Sequence, residues 1–558
     1  MPETISAPWS LGVAYFSPHP EHRFLFEILD HAGIAYCLTE DPESPEAIAA
    51  CDVWLVASHL RDGLPRAWRE AVPRHVQAGK GLVVLGNPLG VESVFGVEPV
   101  SGANAQFGAW LGSVQSMGEG WFQPETGGRA DGRPLHFFGG YAFREAKPGV
   151  ALGSVVDRHG QRSEMVAAVR AGDRAAGLFV DIAATVRHIS HGIPVAVDGV
   201  PAPDGSAPLN DNILKAEDGL VLDWTMDRDD PCGAGFGFFS EPVADCWREF
   251  LLESIFRVAQ AAGAPLRVVW YYPECMQALG HISFDTDGSD PDLATELIDV
   301  LRGIGIRSTW FVIPPGYTPE SGIIAAASAD GHDIGFHFDA GIRPESRGAE
   351  WSRENFLKQF HEVARACGVE EFRSNKNHYT RWQNAADIIE WCAASGITAD
   401  ESKLPSKPGT LGFFSGSSHP WFHHTPLGEP IGCLEIASLS QDPIVTVPPC
   451  AHSALLKAAV SHNGIASFTF HPAHIAKPGV ADALRALVAQ GRELGLEFWT
   501  AAEIADWELI RRGAKLDAGG RLTGKASEAK RPPVVLSLDG GGSFSYLGCP
   551  FSLTGKAG

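Results

Sequence analysis

The stretch His281-Ile282-Ser283-Phe284-Asp285-Thr286-Asp287-Gly288 predicts a short buried strand that ends in a turn carrying two carboxylates. Side chains on a strand alternate between its faces, so Ser283, Asp285 and Asp287 share one side. Carboxylates this close repel each other unless a cation or a shared proton holds them. A divalent metal held by one Asp, with the other free to take a proton from water, satisfies this condition. The alternative is a solvated Asp-rich turn before a helix that begins near Pro291.

The size and composition of the chain restrict its class. A chain of 558 residues predicts two large domains and a possible small third one. Its 44% hydrophobic and 20% charged residues describe a soluble globular protein. The net charge of −23 disfavours nucleic acid or an anionic membrane as the partner. The first twenty residues lack a signal-peptide pattern and the ten cysteines are scattered, so we expect reduced thiols and a cytoplasmic location.

The N-terminal half alternates strands and helices with short loops, which predicts an α/β domain with a mostly parallel sheet over residues 1–264. The predicted strands are Gly12–Phe16, Ile34–Cys37, Val53–Ala57 and Leu82–Leu85, and the helices include Glu21–Ala32, Pro65–Ala78 and Val243–Ala261. In order and spacing this pattern resembles the class I glutamine-amidotransferase-like, flavodoxin-type fold. The amidotransferase reaction needs a cysteine in a tight Gly-x-Cys-x-Gly turn, and none of the ten cysteines has that setting. We therefore expect a non-catalytic domain that serves substrate access or subunit contact, with a homo-oligomer as one possibility.

A second α/β run predicts a closed or nearly closed (β/α) barrel over residues 265–512. Its strands are expected at Ile282–Asp285, Thr309–Ile313, Ile334–Phe338, Glu371–Ser374, Ile397–Ala399, Gly432–Ile436, Ala466–His471 and Leu496–Thr500. In such barrels the chemistry lies at the carboxyl ends of the strands. Residues 513–558 are Gly- and Ser-rich and predict a small β appendage or tail with one strand at Val534–Leu538.

Polar residues recur at four of these strand ends. Besides Asp285 and Asp287, they lie in Gly331-His332-Asp333-Ile334-Gly335-Phe336-His337, in Phe372-Arg373-Ser374-Asn375-Lys376-Asn377-His378-Tyr379-Thr380-Arg381, and in Phe468-Thr469-Phe470-His471-Pro472-Ala473-His474. In order and spacing these motifs resemble the polysaccharide deacetylase family (NodB homology domain) over about residues 280–510. The resemblance implies a distorted (β/α) barrel that uses one divalent metal to remove N- or O-acetyl groups from sugars, and relatives of the family open cyclic amides and imides.

The same resemblance assigns roles to individual residues. Asp285 would be the general base and Asp287 a metal ligand. His337 would be the second ligand, Arg373 the group that orients the base, and His471 the general acid. A metal lowers the pKa of bound water towards about 7, and a histidine that titrates near neutrality can protonate a leaving amine or alkoxide. The expected metal is Zn²⁺, with Co²⁺, Ni²⁺ or Mn²⁺ as alternatives.

Two departures from the family pattern affect the site. The second metal histidine of the family falls on Gly341, so the third ligand is either Asp339 or His378. We favour His378, because divergent members without the second histidine carry a similar Asn-His-Tyr-x-Arg stretch. The Arg-x-Pro-Tyr motif is replaced by Arg373-Ser374-Asn375-Lys376, which changes the backbone expected to line the oxyanion site.

Four further residues are candidate substrate contacts. Asp400 is expected behind the acid histidine or against the substrate, and Trp421 ends a Gly- and Ser-rich loop that forms either a substrate loop or a packed lid. His474 and Arg381 lie in the strand-end stretches quoted above. The sequence thus predicts a metal-dependent sugar deacetylase. A cytosolic hydrolase of a small cyclic amide and a catalytically silent carbohydrate-binding or scaffold protein are the alternatives.

Overall fold

A computed structural model describes residues 10–100, 110–111, 114–125, 128–341, 350–517, 520–539 and 542–553. The N-terminal half contains strands β1 to β12, at Leu11–Phe16, Tyr36–Thr39, Val53–Ser58, Gly81–Gly86, Val97–Pro99, Trp110–Leu111, Val114–Pro124, Leu135–Tyr141, Phe143–Glu145, Gly153–Val156, Ala168–Ala171 and Ala175–Leu178. Its helices α1 to α5 span Phe24–His31, Arg66–Gln77, Glu92–Phe95, Ile182–His191 and Val243–Ala262.

The central N-terminal sheet has the strand order β11-β12-β4-β3-β1-β2. All of its neighbours pair in parallel except β11 and β12. Strands β1, β3 and β4 are buried along their whole length, as continuous apolar strands covered on both faces should be. The predicted parallel α/β sheet is therefore present, and the carboxyl ends of its strands meet along one edge.

The second half contains strands β13 to β22, at Leu266–Val269, Leu279–Asp285, Thr309–Val312, Asp333–Phe338, Ser374–Asn377, Ala399–Asp400, Trp421–His424, Pro430–Glu435, Ile465–Phe470 and Glu497–Phe498. Helices α6 to α13 span Pro291–Ile304, Ile323–Ala329, Arg353–Cys367, Asp387–Ala394, Pro449–Ser461, Pro472–Ile475, Val480–Glu493 and Ala501–Arg512.

Strands β14 to β22 form one curled sheet with the order β19-β20-β18-β17-β16-β15-β14-β21, in which β22 also pairs with β14. Every pair is parallel except β19 with β20. The segment after β20 joins the two ends of the sheet, because the Leu439 amide donates to the Ser467 carbonyl and the Thr469 amide to the Ser440 carbonyl. The sheet is thus a curled half-barrel, and the carboxyl ends of its strands face one opening.

Strand β17 begins three residues later than the sequence predicts, at Ser374 rather than Glu371. Its four residues, Ser-Asn-Lys-Asn, are polar and all buried, so apolar content did not reveal them. The shift moves Arg373 off the end of the strand and places Lys376 within it. Trp421, predicted in a loop, begins β19.

The C-terminal tail packs against the rest of the chain. Its strands β23 to β27 span Lys515–Leu516, Leu522–Thr523, Val535–Leu538, Phe544–Tyr546 and Cys549–Leu553. Strand β25 pairs antiparallel with β13, so β25, β26 and β27 complete a small sheet with the strand that precedes the barrel. In the described parts of the chain, no helix has the length and apolar character needed to cross a bilayer.

Candidate metal centre and active site

The two carboxylates of the opening stretch lie where β14 ends. Asp285 is the last residue of the strand and is buried, while Asp287 follows in the turn with 35% of its side chain exposed. Strands β16 and β17 lie to one side of β14 in the sheet and β21 lies on the other. Their carboxyl ends carry His337, His378 and His471, so these side chains meet Asp287 from both sides.

Asp287, His337 and His378 form a group of three possible metal ligands. Nε2 of His337 lies 3.4 Å from Oδ1 of Asp287, and Nε2 of His378 lies 3.5 Å from its Oδ2. The centroids of the two imidazole rings lie 5.3 Å apart, and their planes meet at 62°. Among the described residues this is one of four groups whose donor atoms lie close enough to share an ion.

The hydrogen bonding of His337 tests whether a cation fits this group. Its Nδ1 lies 2.8 Å from the backbone carbonyl of Lys376. A carbonyl only accepts, so Nδ1 is the donor of this bond, and Nε2 is the nitrogen that faces Asp287. Oδ1 of Asp287 is buried and has no hydrogen-bond partner among the described residues, and a cation held between it and Nε2 would supply that partner. The donor set of two imidazoles and one carboxylate suits Zn²⁺ and similar divalent metals.

Asp339 and His378, the two candidates for the third ligand, occupy different positions. His378 faces Asp287, whereas Asp339 lies behind it, with Oδ1 3.2 Å from Nδ1 of His378. This is the arrangement of a metal histidine oriented by a carboxylate on its second nitrogen. Burial opposes a charge on His378, but its hydrogen bonds with Asp287 and Asp339 outweigh burial and raise its pKa to about 9. Burial would likewise raise the pKa of Asp287, and the two histidines hold that pKa well below its usual range.

Lys376 provides the positive charge beside Asp285. Its ammonium lies 3.2 Å from Oδ1 of Asp285 and 3.3 Å from Oε2 of Glu401, and it donates to the hydroxyls of Ser283 and Thr469 at 2.8 Å each. Burial would raise the pKa of Glu401, but the charges of His281 and Lys376 lower it to about 2. Behind Asp285 there is therefore a buried network of alternating charges.

Arg373, the residue predicted to orient the base, lies outside this network. Its guanidinium is 40% exposed and pairs with Asp506 at 2.5 Å. The reason is the start of β17: Arg373 precedes the strand, while Lys376 lies inside it with its side chain in the barrel. Lys376, three residues after Arg373, thus occupies the position beside Asp285 at which the family resemblance predicts an arginine.

His471 lies on the other side of Asp287, with Nε2 3.8 Å from Oδ2 of that carboxylate. Its Nδ1 bonds to Asp442 at 2.6 Å, and the same Asp442 oxygen lies 2.9 Å from Nδ1 of His474. Burial opposes the charge on His471, but Asp442 and the two further carboxylates, Asp285 and Asp287, raise its pKa to about 9. The structure therefore provides a charged proton donor that a carboxylate orients at the mouth of the site.

Three of the predicted substrate contacts are buried away from the opening. Asp400 is fully enclosed, accepts from Asn375 and Ser402, and has a pKa raised by burial to about 6. It does not lie behind the acid histidine, because Asp442 holds that position. Trp421 is fully enclosed in β19, and Arg381 is buried with its backbone bridged to residue 215. Only His474 lies at the site.

Sequence reasoning missed Lys376, Asp442 and Glu401. In the sequence, Lys376 is noticeable only as a departure from the Arg-x-Pro-Tyr motif. The structure shows it buried within β17. Glu401 directly follows Asp400, which the sequence analysis selected instead. Because the side chains of neighbouring residues in a strand point to opposite faces, the selection of one of the two excluded the other. Asp442 lies in an irregular loop, where no periodic pattern distinguishes it from a solvated aspartate.

Comparison with known proteins gives distant structural neighbours only. No protein-family model matches the sequence, and no curated protein matches it. Similar solved structures include the carbohydrate deacetylase Agd3 (10% identity over 95% of this chain and 91% of the other, TM-score 0.35). Also similar is a candidate polysaccharide deacetylase from Mycobacterium smegmatis, with 17% identity over 44% of this chain and 94% of the other and a TM-score of 0.32. A third similar structure is an allantoinase, with 13% identity over 42% of this chain and 92% of the other and a TM-score of 0.31.

Polysaccharide deacetylases, the family that the sequence motifs resemble, are thus among the solved structures to which this chain is similar. The resemblance of the N-terminal half to a flavodoxin-type amidotransferase domain stays a prediction.

Proposed function

We propose that this protein is a metal-dependent hydrolase that removes the acetyl group from an N-acetylated or O-acetylated sugar. The observation that carries the proposal is the convergence of His337 and His378 on Asp287, next to a second carboxylate and opposite a charged histidine. These groups come from four separate strand ends. A solvated turn of acidic residues does not require such an arrangement.

Asp287, His337 and His378 would hold the metal, most simply Zn²⁺, with Co²⁺, Ni²⁺ or Mn²⁺ as further candidates. A divalent metal bound there would lower the pKa of its bound water and polarise the acyl oxygen of the substrate. Asp339 fixes the ring of His378, and the carbonyl of Lys376 fixes the ring of His337. These second contacts determine which nitrogen of each ring faces Asp287.

Asp285 takes the proton from the attacking water in this proposal. Lys376 holds the carboxylate in place, because its ammonium lies 3.2 Å from Oδ1 of Asp285. His471 then gives a proton to the leaving nitrogen or oxygen, and Asp442 stabilises the charged imidazole before transfer.

The N-terminal half contributes a parallel sheet with the strand order 2-1-3-4-5 when β12 is counted as the fifth strand, an order typical of flavodoxin-type domains. We propose that assignment for residues 1–264. Residues 513–558 are proposed as an appendage, since their strands extend the small sheet at β13.

Metal content and acetate release from N-acetylglucosamine oligomers test the proposal. Asp287→Asn should lose bound metal and activity together, whereas Asp285→Asn should keep the metal and lose rate. Asp292→Asn, an exposed carboxylate in the first turn of α6, is the matched control and should behave as the original protein.

Full activity in both Asp285→Asn and Asp287→Asn would refute the assignment of β14. If the protein opens the ring of a cyclic imide but releases no acetate, then the same site would belong to a hydrolase of small cyclic amides, which is the first alternative. Purified protein that binds no zinc, cobalt, nickel or manganese and gains no activity from them would favour the scaffold alternative.

A further inference from the structure

A second cluster of reactive side chains lies in the N-terminal half, far along the chain from the metal centre. Strand β1 is flanked by β2 on one side and β3 on the other, so the direction of the chain through the sheet reverses between β1 and β3. In open α/β sheets, ligands bind outside the carboxyl ends of the strands at such a reversal. Ser17 directly follows β1 and His59 directly follows β3, so both lie at this point.

Ser17, His22 and Asp181 are connected in series at this edge. Oγ of Ser17 lies 2.5 Å from Nδ1 of His22, and Nε2 of the same ring lies 2.5 Å from Oδ2 of Asp181. A carboxylate only accepts, so Nε2 of a neutral ring carries the proton and Nδ1 presents a lone pair to the serine hydroxyl. His22 is thus positioned as a general base for Ser17, and Asp181 fixes the required tautomer.

Neighbouring groups hold this relay in place. Asp181 is the N-cap of α4, and its Oδ1 accepts from the Ala184 amide at 3.1 Å. The ring of His59 stacks on that of His22 at 3.7 Å between centroids. The backbone amide of His19 donates to Oγ of Ser17 at 3.1 Å, which favours negative charge on that oxygen.

The stacking also argues for proton transfer over a metal. Donor atoms of His22, His59 and Asp181 lie within 4.8 Å of one another. However, the two imidazole rings are only 28° from parallel, and ring lone pairs lie in the ring plane. Their lone pairs therefore do not converge on one ion, in contrast to those of His337 and His378, whose rings stand at 62°.

Ser17 is also accessible from outside. It lines a cleft of about 430 Å³, whose wall combines the apolar side chains of Leu60 and Leu427 with the paired charges of Arg23 and Glu40. A cleft of this size holds a small organic ligand. The expectation of a non-catalytic N-terminal domain rests on the absence of a cysteine in a Gly-x-Cys-x-Gly turn. The relay of Ser17, His22 and Asp181 does not use a cysteine.

We propose that Ser17, His22 and Asp181 form a second hydrolytic site, which cleaves small carboxylic esters and acts independently of the metal centre. Oγ of Ser17 forms a bond to the acyl carbon while its proton passes to Nδ1 of His22. The bond between the acyl carbon and the alkoxy oxygen breaks, and that oxygen leaves with the proton. Water then attacks the acyl-serine by the same route, which releases the carboxylic acid and restores Ser17.

A fluorophosphonate probe, which phosphonylates activated serines, tests the proposal on the full chain in the presence of EDTA. Peptide mass spectrometry should place the label on Ser17, and p-nitrophenyl acetate should be hydrolysed under the same conditions. His22→Gln and Asp181→Asn should lower the labelling rate at least tenfold. The matched control is His75→Gln, which changes a buried histidine of the same half that stacks on Trp54, and its labelling should be unchanged.

Ser17→Ala removes only a hydroxyl and should abolish hydrolysis of p-nitrophenyl acetate in EDTA at an unchanged melting temperature. Hydrolysis that persists in Ser17→Ala would overturn the proposal. So would the absence of label on Ser17, or equal labelling in His22→Gln and His75→Gln. Because EDTA silences a metal-dependent reaction, none of these outcomes depends on the function proposed for the barrel.

Discussion

Lys376→Met tests the charge network behind Asp285 most directly. The substitution keeps the length of the side chain and removes an ammonium that lies 3.2 Å from Asp285 and 3.3 Å from Glu401. Glu401 keeps its 2.7 Å contact with His281, so the carboxylate left without a cation is that of Asp285. Removal of one partner from a buried ion pair costs about 3–5 kcal/mol, because the remaining charge stays buried. We expect the free energy of unfolding to fall by that amount.

The rate should fall as well, because Asp285 loses the group that positions it. Misplacement of a catalytic group by about 1 Å costs roughly 100-fold in rate, and we expect a loss of that order in acetate release. Bound metal should remain, since Asp287, His337 and His378 are unchanged. Urea unfolding followed by tryptophan fluorescence, metal analysis and the acetate assay measure these three quantities.

Arg373→Met is the matched control for this experiment. Arg373 is 40% exposed and pairs with a half-exposed Asp506, and exposed pairs contribute about 0–1 kcal/mol. Its loss should leave acetate release unchanged. If instead Lys376→Met loses less than about 1 kcal/mol and retains its rate, or if Arg373→Met loses activity, then the arginine and not the lysine supports the base, and our reasoning about β17 is wrong.

Three further predictions concern two contacts of the candidate site and one buried histidine outside it. Asp339→Asn should weaken metal binding about 10–100-fold in a chelator competition, because it frees the ring of His378, whereas unchanged affinity would remove Asp339 from the site. Asp442→Asn should lower kcat for acetate release about 10²–10⁴-fold with bound metal retained, since His471 loses the carboxylate that orients it; an unchanged kcat would exclude His471 as the acid. Burial would lower the pKa of His462, but Glu249 and Glu241 raise it well above the usual value, so its contribution to stability is complete below about pH 6.5 and is lost as the pH rises through the folded pKa. His462→Gln should therefore cost more stability at pH 6 than at high pH in urea unfolding, and an equal cost at both would contradict this assignment.

Much of the fold could be predicted from periodicity. The apolar strands of both sheets are continuous hydrophobic runs, and helices such as α6 and α8 show an amphipathic pattern closed by glycine. Strand β17 could not be found in this way, because its buried residues are polar and are stabilised by partners from other strands. A sequence pattern records apolar burial, but it does not record charges that compensate each other across a barrel.

The same limit applies to the candidate site. Asp285, Asp287, His337 and His471 follow apolar strands, so motif and strand end coincide and their positions could be predicted. Asp400 and Trp421 are predicted as substrate contacts from their residue type alone, and the structure shows both side chains fully enclosed. Residue type suggests which chemistry is available, whereas exposure to the opening depends on which face of the strand the residue occupies.

Gly341 shows why the third ligand comes from another strand. It adopts a φ of 70°, in the left-handed region that favours glycine. A histidine at 341 would therefore be strained by the backbone conformation of this loop. His378 supplies an imidazole from the end of β17 instead, and Asp339 supports it from β16. The same strand carries Lys376, so β17 delivers both the third donor and the cation beside the base. Both residues therefore depend on where β17 begins, because this strand brings His378 to Asp287 and Lys376 to Asp285.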